Sequence, residues 1–565
     1  MQILYSTYNF APFVPPPAHL PPAAQLAEDF MRQRHLLLGG VVLLALCRLL
    51  LLLRAQPSGN SSTRRINRPL SHQLSIADAA PTPSQRLPPS PPPPPLPSIS
   101  HDEIDTAAPS DARTKPFPVV LLAHERPQRL NATLTSLRAV RGIDANQVFV
   151  LQDGSDAEVA AVVRAAGFRR EALPEHRPPT ADEQKSGSAI ARAYQHALTR
   201  AFDSLTTDDA IIIVEDDLFF SPDLMEFFLA GYHVLRADPT LWCVSAWNDN
   251  GFHGLVSPDH PKDLLRTGWF PGLGWLLTRS LYKDELEPAW PREHWDHWMR
   301  SERVHQTSRG RECLIPAVPR TFHHGEKGTF MNRLLHTQFF APIAYATDER
   351  IRWPVNEWPA VRARATSAAY EAALRTRIAA AKPIRDLREL LRAVYNSTNA
   401  RGESGDGGGA PTSPEIALWY HQPPRSSSVT LFKELATLLG LWHELRRAQH
   451  KGVHDLWCGA TTRLLLVNTV HGPEATPSPY VDLAPPEPAI WKSNGALRAA
   501  AKKAFRKLGL AEKSSVCRRL PTWPGDASDE HGRKPMRRAS LLRSAGKGAT
   551  LAEMAKEAAP NANGG

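Results

Sequence analysis

Three acidic residues stand side by side in this chain, Glu215-Asp216-Asp217, directly after the run Ala210-Ile211-Ile212-Ile213-Val214. Adjacent like charges repel, and at the end of a buried strand they also lose hydration, so a positive partner belongs beside them. A hard divalent cation bridging protein carboxylates to the phosphates of a substrate meets that need. A surplus of acids on a solvated loop is the plainer alternative, and the apolar run before them counts against it. A further carboxylate stands out at Asp296, between Trp295 and His297-Trp298. Indole neighbours desolvate a carboxylate, which raises its proton affinity and suits it to act as a base. Most other tryptophans read as core residues.

The elements that must position these groups alternate strand and helix. The β-branched run before the triplet has the continuous apolar character of a strand buried on both faces, as parallel strands are. Phe117 to Ala123 and Gln147 to Leu151 read as earlier strands, and Leu241 to Ala246 as a later one. Helical apolar spacing covers Gln128 to Val140, Asp156 to Ala166 and Ala189 to Phe202. Such alternation predicts an α/β fold, a mostly parallel sheet flanked by helices with right-handed crossovers. Ligands of open α/β sheets bind beyond the carboxyl ends of the strands, where the triplet falls. The G-x-G-x-x-G turn of dinucleotide folds is absent.

The 565 residues exceed one compact core. Positions 1–35 form a polar leader, and Leu36 to Leu53 an apolar run long enough to span a bilayer, read as a signal-anchor with a cytoplasmic amino terminus. Residues 54–116, with Pro91 to Pro95, read as a Pro-rich lumenal stem. The globular part is expected at 117–350, a smaller carboxyl-terminal lobe at 351–493 with a flexible loop near 401–414, and a basic disordered tail at 494–565. Net charge is +10, and from Lys492 onward 16 Lys and Arg face 6 Asp and Glu, so the rest of the chain is neutral. That distribution gives no sign of a nucleic-acid-coating protein. The five cysteines form no C-x-x-C pair, which argues against structural zinc.

Several longer motifs occur in order: Glu215-Asp216-Asp217, Trp242-Cys243-Val244-Ser245-Ala246-Trp247-Asn248-Asp249-Asn250-Gly251, Phe270-Pro271-Gly272-Leu273-Gly274-Trp275, and Trp295-Asp296 with Trp298-Met299-Arg300. Together they resemble the inverting β-1,2-N-acetylglucosaminyltransferases of glycosyltransferase family 13. The resemblance implies a GT-A type nucleotide-sugar-binding fold in a type II Golgi membrane enzyme. It also implies a UDP-GlcNAc donor, a mannose-terminated glycoprotein acceptor and Mn²⁺ as cofactor. Carried over by position, Asp217 ligates the metal and Asp296 is the catalytic base. Arg126, Asp153, Glu215, Asp216, Leu273 and Trp295 bind substrate. Cys243 and Cys313 match a family disulfide. The family's other cysteine pair falls at His124 and Gly154, a family histidine falls at Ala193, and residues 326–335, a loop over the donor in the family, align poorly. An O-linked mannose acceptor and a non-catalytic lumenal binding protein on the same fold are the alternative expectations.

Overall fold

The computed structural model describes residues 113–174, 180–302, 306–386, 414–423, 430–459 and 462–486, with single residues up to Cys517. The expected anchor, the stem up to residue 112, the basic tail apart from Ser515 and Cys517, and nearly all of the 401–414 loop lie outside the described residues. Among the described residues no helix is long and apolar enough to cross a membrane.

The chain builds β1 (Val119–Ala123), α1 (Pro127–Arg138), β2 (Val148–Gln152), α2 (Ala157–Ala165), β3 (Arg169–Ala172), α3 (Ser188–Arg200) and β4 (Ala210–Glu215). Next come β5 (Leu218–Phe220), α4 (Leu224–Ala237), β6 (Leu241–Ser245), β7 (Leu264–Thr267) and β8 (Trp275–Thr278). Then follow α5 (Trp295–Met299), β9 (Glu312–Pro316), β10 (Thr321–His323) and α6 (Arg333–Phe339). An eight-stranded sheet runs in the order β3-β2-β1-β4-β8-β6-β9-β7. The strands from β3 to β4 are parallel, as the strand-helix alternation requires. Beyond β4 the sheet is mixed, because β8 lies antiparallel between β4 and β6, and β7 antiparallel to β9.

Period-two alternation sends the apolar side chains of each strand into two cores. Val119, Leu121, Ile212 and Val214 join α1 and α4 on one face. Val120, Ile211 and Ile213 join Ala191, Tyr194 and Leu198 of α3 on the other. Cys243 and Cys313 stand opposite each other in the β6–β9 pair and form a disulfide. A second disulfide joins Cys458 and Cys517, a pairing the sequence reading left open.

The smaller lobe follows α7 (Trp358–Ala365) and α8 (Ser367–Ala380), and sheets β11 (Lys382–Pro383) and β12 (Glu415–Tyr420) beside β14 (Thr462–Asn468) and β13 (Val453–Cys458). Helix α9 (Thr430–Leu439) covers one face with Leu431, Leu435 and Leu439, and that core runs on into Trp247, Phe252 and Phe339. Leu374 and Ile378 of α8 cover the other face. The two sheets are also riveted by charge. Arg266 is fully buried, donates to Asp238 at 2.7 Å and to Glu312 at 2.9 Å, and Glu312 meets His450 of the smaller lobe at 2.7 Å.

Burial alone would raise the Glu312 carboxyl, but His450 and Arg266 outweigh it and hold it down to about 2. A depressed acid adds stability that is complete above its unfolded value near 4.5 and is lost as pH falls through about 2. Arg266→Met leaves two buried carboxylates without their cation and should cost about 3–5 kcal/mol in urea unfolding at pH 7. Equal midpoints for the variant and the wild type would contradict the role assigned to this knot.

Candidate functional site

The carboxylate triplet begins on the last residue of β4 and turns into β5, at the carboxyl end of the parallel strands. Helix α1 abuts it from its first turn onward. Pro127 starts that helix and leaves Arg126 just outside it in a non-helical conformation, so the guanidinium reaches back toward the triplet. Arg126 Nη2 binds Asp216, and Nη1 donates to Asp217 Oδ2 at 2.8 Å. Thr133, one face further along α1, donates to the Asp216 carbonyl at 2.9 Å. Positive charge therefore does sit beside the triplet.

Neutralisation is incomplete. Asp216 and Asp217 are almost fully buried, yet Asp216 Oδ2 and Asp217 Oδ1 find no hydrogen-bond partner among the described residues. Burial, with repulsion from Asp217, pushes the Glu215 carboxyl up to about 7. Burial also lifts Asp216 to about 6, against the pull of Arg126. Asp217 goes the other way: burial opposes it, but His323 and Arg126 hold its carboxyl below the ordinary aspartate value. One carboxylate of the three is thus kept charged while its neighbours share protons near neutrality. Acceptor-only buried oxygens of this kind suit a hard cation. Among the described residues no group of three or more His, Cys, Asp or Glu side chains is arranged to hold a metal ion.

Tyr194 ties the triplet to the second predicted centre. Its hydroxyl donates to Glu215 at 2.6 Å, and its ring stacks on Trp295 with centroids 4.1 Å apart. Burial, then the charges of Glu215, Asp217 and Asp296, keep the phenol well above its usual range. Asp296 lies in the first turn of α5, entered through His294 at a positive φ of 49°. The expected pair of indoles does not enclose it. Trp295 and Trp298 turn into the core against Tyr194 and Trp290, and the Asp296 carboxylate meets Arg300 at 2.8 Å with a side-chain exposure of 26%. Tryptophan spacing in the sequence marked a packing anchor for the helix, and the electrostatic partner is one turn away.

Asp153 closes β2, where its amide donates to the Ala123 carbonyl at 2.8 Å and sets it beside the end of β1. Leu273 has a φ of 51° between Gly272 at 69° and Gly274 at 93°. That left-handed run costs backbone energy at the non-glycine residue, and two hydroxyls fix it in place. Ser245 donates to the Gly272 carbonyl at 2.9 Å and Thr321 to the Leu273 carbonyl at 2.7 Å. His124 and Gly154 are neighbours, with the imidazole against the glycine. Ala193 is buried in the α3 core and offers no side-chain polar atom. Residues 325–331 fold across the site. Lys327 O accepts from Arg129 at 3.4 Å, and a Cβ on Gly187 would meet the Phe330 ring at 2.6 Å.

Sequence reasoning missed Tyr194, Thr133, His323 and His324. Tyr194 and Thr133 sit in the apolar stripes of their helices and give no separate signal. The doublet His323-His324 before Gly325 is visible in the sequence, but only the pairing of β10 with β5 brings it over Asp217.

Comparison with known proteins follows this geometry. The model of the GNT-I family matches residues 98–390, more than half of the chain. An Arabidopsis thaliana protein, alpha-1,3-mannosyl-glycoprotein 2-beta-N-acetylglucosaminyltransferase, is 32% identical over 247 residues, 42% of this chain and 53% of that protein. The chain thus spans about half the length of this curated relative. Among solved structures, the mannosyltransferase PcManGT from Pyrobaculum calidifontis, in complex with GDP-Man and Mn²⁺, is 15% identical over 51% of this chain and 82% of its own, with a TM-score of 0.22. A mycobacterial protein is also 15% identical, over 46% of this chain and 91% of its own, with a TM-score of 0.24. Likenesses this loose carry no argument about the chain.

Glu215 and Asp216 have folded pKa values above the unfolded ones, so they favour the fold below about pH 4 and lose that contribution as pH rises through 6 to 7. Removing the Arg126 cation raises both further. Arg126→Met should therefore destabilise the protein by about 2 kcal/mol more at pH 8 than at pH 5, read from thermal melts. The same loss at both pH values would mean that Arg126 does not neutralise the cluster.

Proposed function

Because the chain belongs to the GNT-I family, we propose that it transfers N-acetylglucosamine from UDP-GlcNAc, in β-1,2 linkage and with inversion, to a mannose of N-glycans. The observation that carries this reading is the buried triplet with two unpartnered carboxylate oxygens, joined through Tyr194 to the helix that bears Asp296. In this reading 117–350 is a GT-A type catalytic domain and 351–493 its smaller lobe. Segment 36–53 is a signal-anchor, 54–116 a stem, and the enzyme faces the Golgi lumen. The two disulfides favour that address, since such bonds persist in oxidising compartments.

Each residue then has a task. Asp217, charged and with Oδ1 unpartnered, holds Mn²⁺. When bound, the metal supplies Lewis-acid neutralisation of the charge that grows on the UDP leaving group. Asp153 reads the uracil, and Arg126 turns its guanidinium toward the donor from the acidic cluster. Glu215 and Asp216 line the ribose and sugar side, with protons shared near neutrality so that they can donate as well as accept. Leu273, fixed in its left-handed turn, and Trp295, stacked on Tyr194, bound the sugar pocket. Asp296 takes the proton of the mannose 2-hydroxyl. That oxygen bonds to the anomeric carbon as the bond to the diphosphate breaks and UDP leaves with the electron pair. Arg300, braced by the Phe270 carbonyl at 3.1 Å and lying 5.0 Å over the Trp269 ring, fixes the base for in-line removal.

The same transfer to O-linked mannose is the second reading, prompted by Gly310-Arg311-Glu312-Cys313 and Ser280-Leu281-Tyr282-Lys283. Glu312 and Cys313 are buried, one in the Arg266 knot and one in a disulfide, so they serve packing and do not choose between acceptors. A non-catalytic binding protein needs neither a buried charged aspartate nor a base held by an arginine. Asp296→Asn should reduce turnover by about 10²–10⁴-fold while UDP-GlcNAc binds with unchanged affinity. Unchanged turnover would sink the assignment of the base.

A further inference from the structure

The motif Trp247-Asn248-Asp249-Asn250-Gly251, just after β6, has no part in the transfer described above, yet its polar side chains are almost fully buried. They receive a loop of the smaller lobe. Asn250 Oδ1 accepts from the Trp442 amide at 3.1 Å, and Asn250 Nδ2 donates to the Arg447 carbonyl at 3.2 Å. Asp249 takes the Arg447 guanidinium at 2.6 Å. Beside Trp269, the Gly268 amide donates to the Gln449 carbonyl at 3.2 Å. The loop 442–449 is thereby fixed against the larger lobe at both of its ends.

Between those anchors Arg446 reaches α5. Its Nη2 donates to the Arg300 carbonyl at 3.1 Å and pairs with Glu302 at 2.8 Å. Arg300 stands at the carboxyl end of α5 and holds Asp296 from there at 2.8 Å. Arg300, Arg446 and Arg447 gather round one indole, 5.0, 5.1 and 4.8 Å from the centre of the Trp269 ring. Three cations so close repel one another, and each is kept in place by its own carboxylate: Asp296, Glu302 and Asp249 in turn. Such a set is interdependent, because a guanidinium that loses its acid competes for a neighbour's. We propose that Arg446 is a positioning residue for the transfer, bracing Arg300 so that the Asp296 carboxylate stays aimed at the acceptor hydroxyl. The smaller lobe then serves the chemistry through one arginine, and the buried Asn-Asp-Asn motif is the socket that seats it. The inference rests on the reading of Asp296 as the base. The Arg446 and Glu302 side chains are 31% and 28% exposed, so their pair adds little to stability. Turnover is far more sensitive, since a small displacement of a reacting group slows the reaction strongly.

The test is a double-mutant cycle on the full chain, with UDP-GlcNAc, Mn²⁺ and whichever mannose acceptor the wild type uses, N-glycan or O-mannosyl peptide. Arg446→Met and Glu302→Gln should each lower kcat about tenfold, with UDP-GlcNAc affinity and the thermal midpoint close to wild type. In an Arg300→Met background, adding Arg446→Met should change kcat by less than about twofold, because the side chain it acts through is already gone. Equal losses in the two backgrounds overturn the inference and leave the transferase reading standing. A fall in UDP-GlcNAc affinity or in thermal stability in step with kcat also overturns it, since Arg446 would then be a structural residue. No transfer by the wild type to either acceptor overturns the transferase reading and this inference with it.

Discussion

Three consecutive carboxylates at the buried end of a strand are the constraint around which this molecule is arranged. A parallel strand of β-branched residues needs cover on both faces, and its carboxyl end is where the sheet opens to ligands. Placing Glu215, Asp216 and Asp217 there brings a desolvation cost that the fold meets only in part. Arg126 reaches two of them, Tyr194 the third, and two oxygens stay without a partner. The outcome is differential: Asp217 is held charged, while Glu215 and Asp216 are lifted to about 7 and 6. That asymmetry sets one carboxylate held charged beside two whose proton affinity lies near neutrality.

The same economy runs through the joints that hold the site still. Arg266, Arg320 and Arg447 are each tied to acids that are themselves buried, and each links segments far apart in the chain. Arg447 is also stacked between Trp269 and Trp442, with Arg300 and Arg446 over the Trp269 indole. The smaller lobe thereby touches the arginine that grips Asp296. Buried ion pairs add little net stability, but removing one partner is costly, so they fix one arrangement against alternatives.

Much of the sheet was legible in the sequence because its central strands are apolar on both faces. β1, β2, β4 and β6, and helices α1, α2 and α3, fall within a few residues of the expected spans. β3 was missed because an edge strand of Arg169-Arg170-Glu171-Ala172 shows no apolar pattern. The antiparallel insertion of β8 was missed because chain order says nothing about which gap a returning strand fills. The smaller lobe's sheet was also missed, since β12 and β14 alternate between two cores and read as plain apolar runs. At the site, residue type announced the triplet and Asp296. The residues that complete it, Tyr194 and His323, come from a helix face and a strand register, which spacing along the chain does not encode.

The central claim is that this site moves a sugar from a nucleotide to a mannose, and transfer itself is the direct measurement. The full chain is supplied with labelled UDP-GlcNAc and Mn²⁺, with a mannose-terminated N-glycan in one arm and an O-mannosyl peptide in the other, and a chelator control for each. The account predicts chelator-sensitive incorporation into the N-glycan, with the new linkage at the 2-hydroxyl. Incorporation into the peptide alone would move the acceptor to O-linked mannose. Failure to label either acceptor, together with no binding of UDP-GlcNAc, would contradict the account at its root.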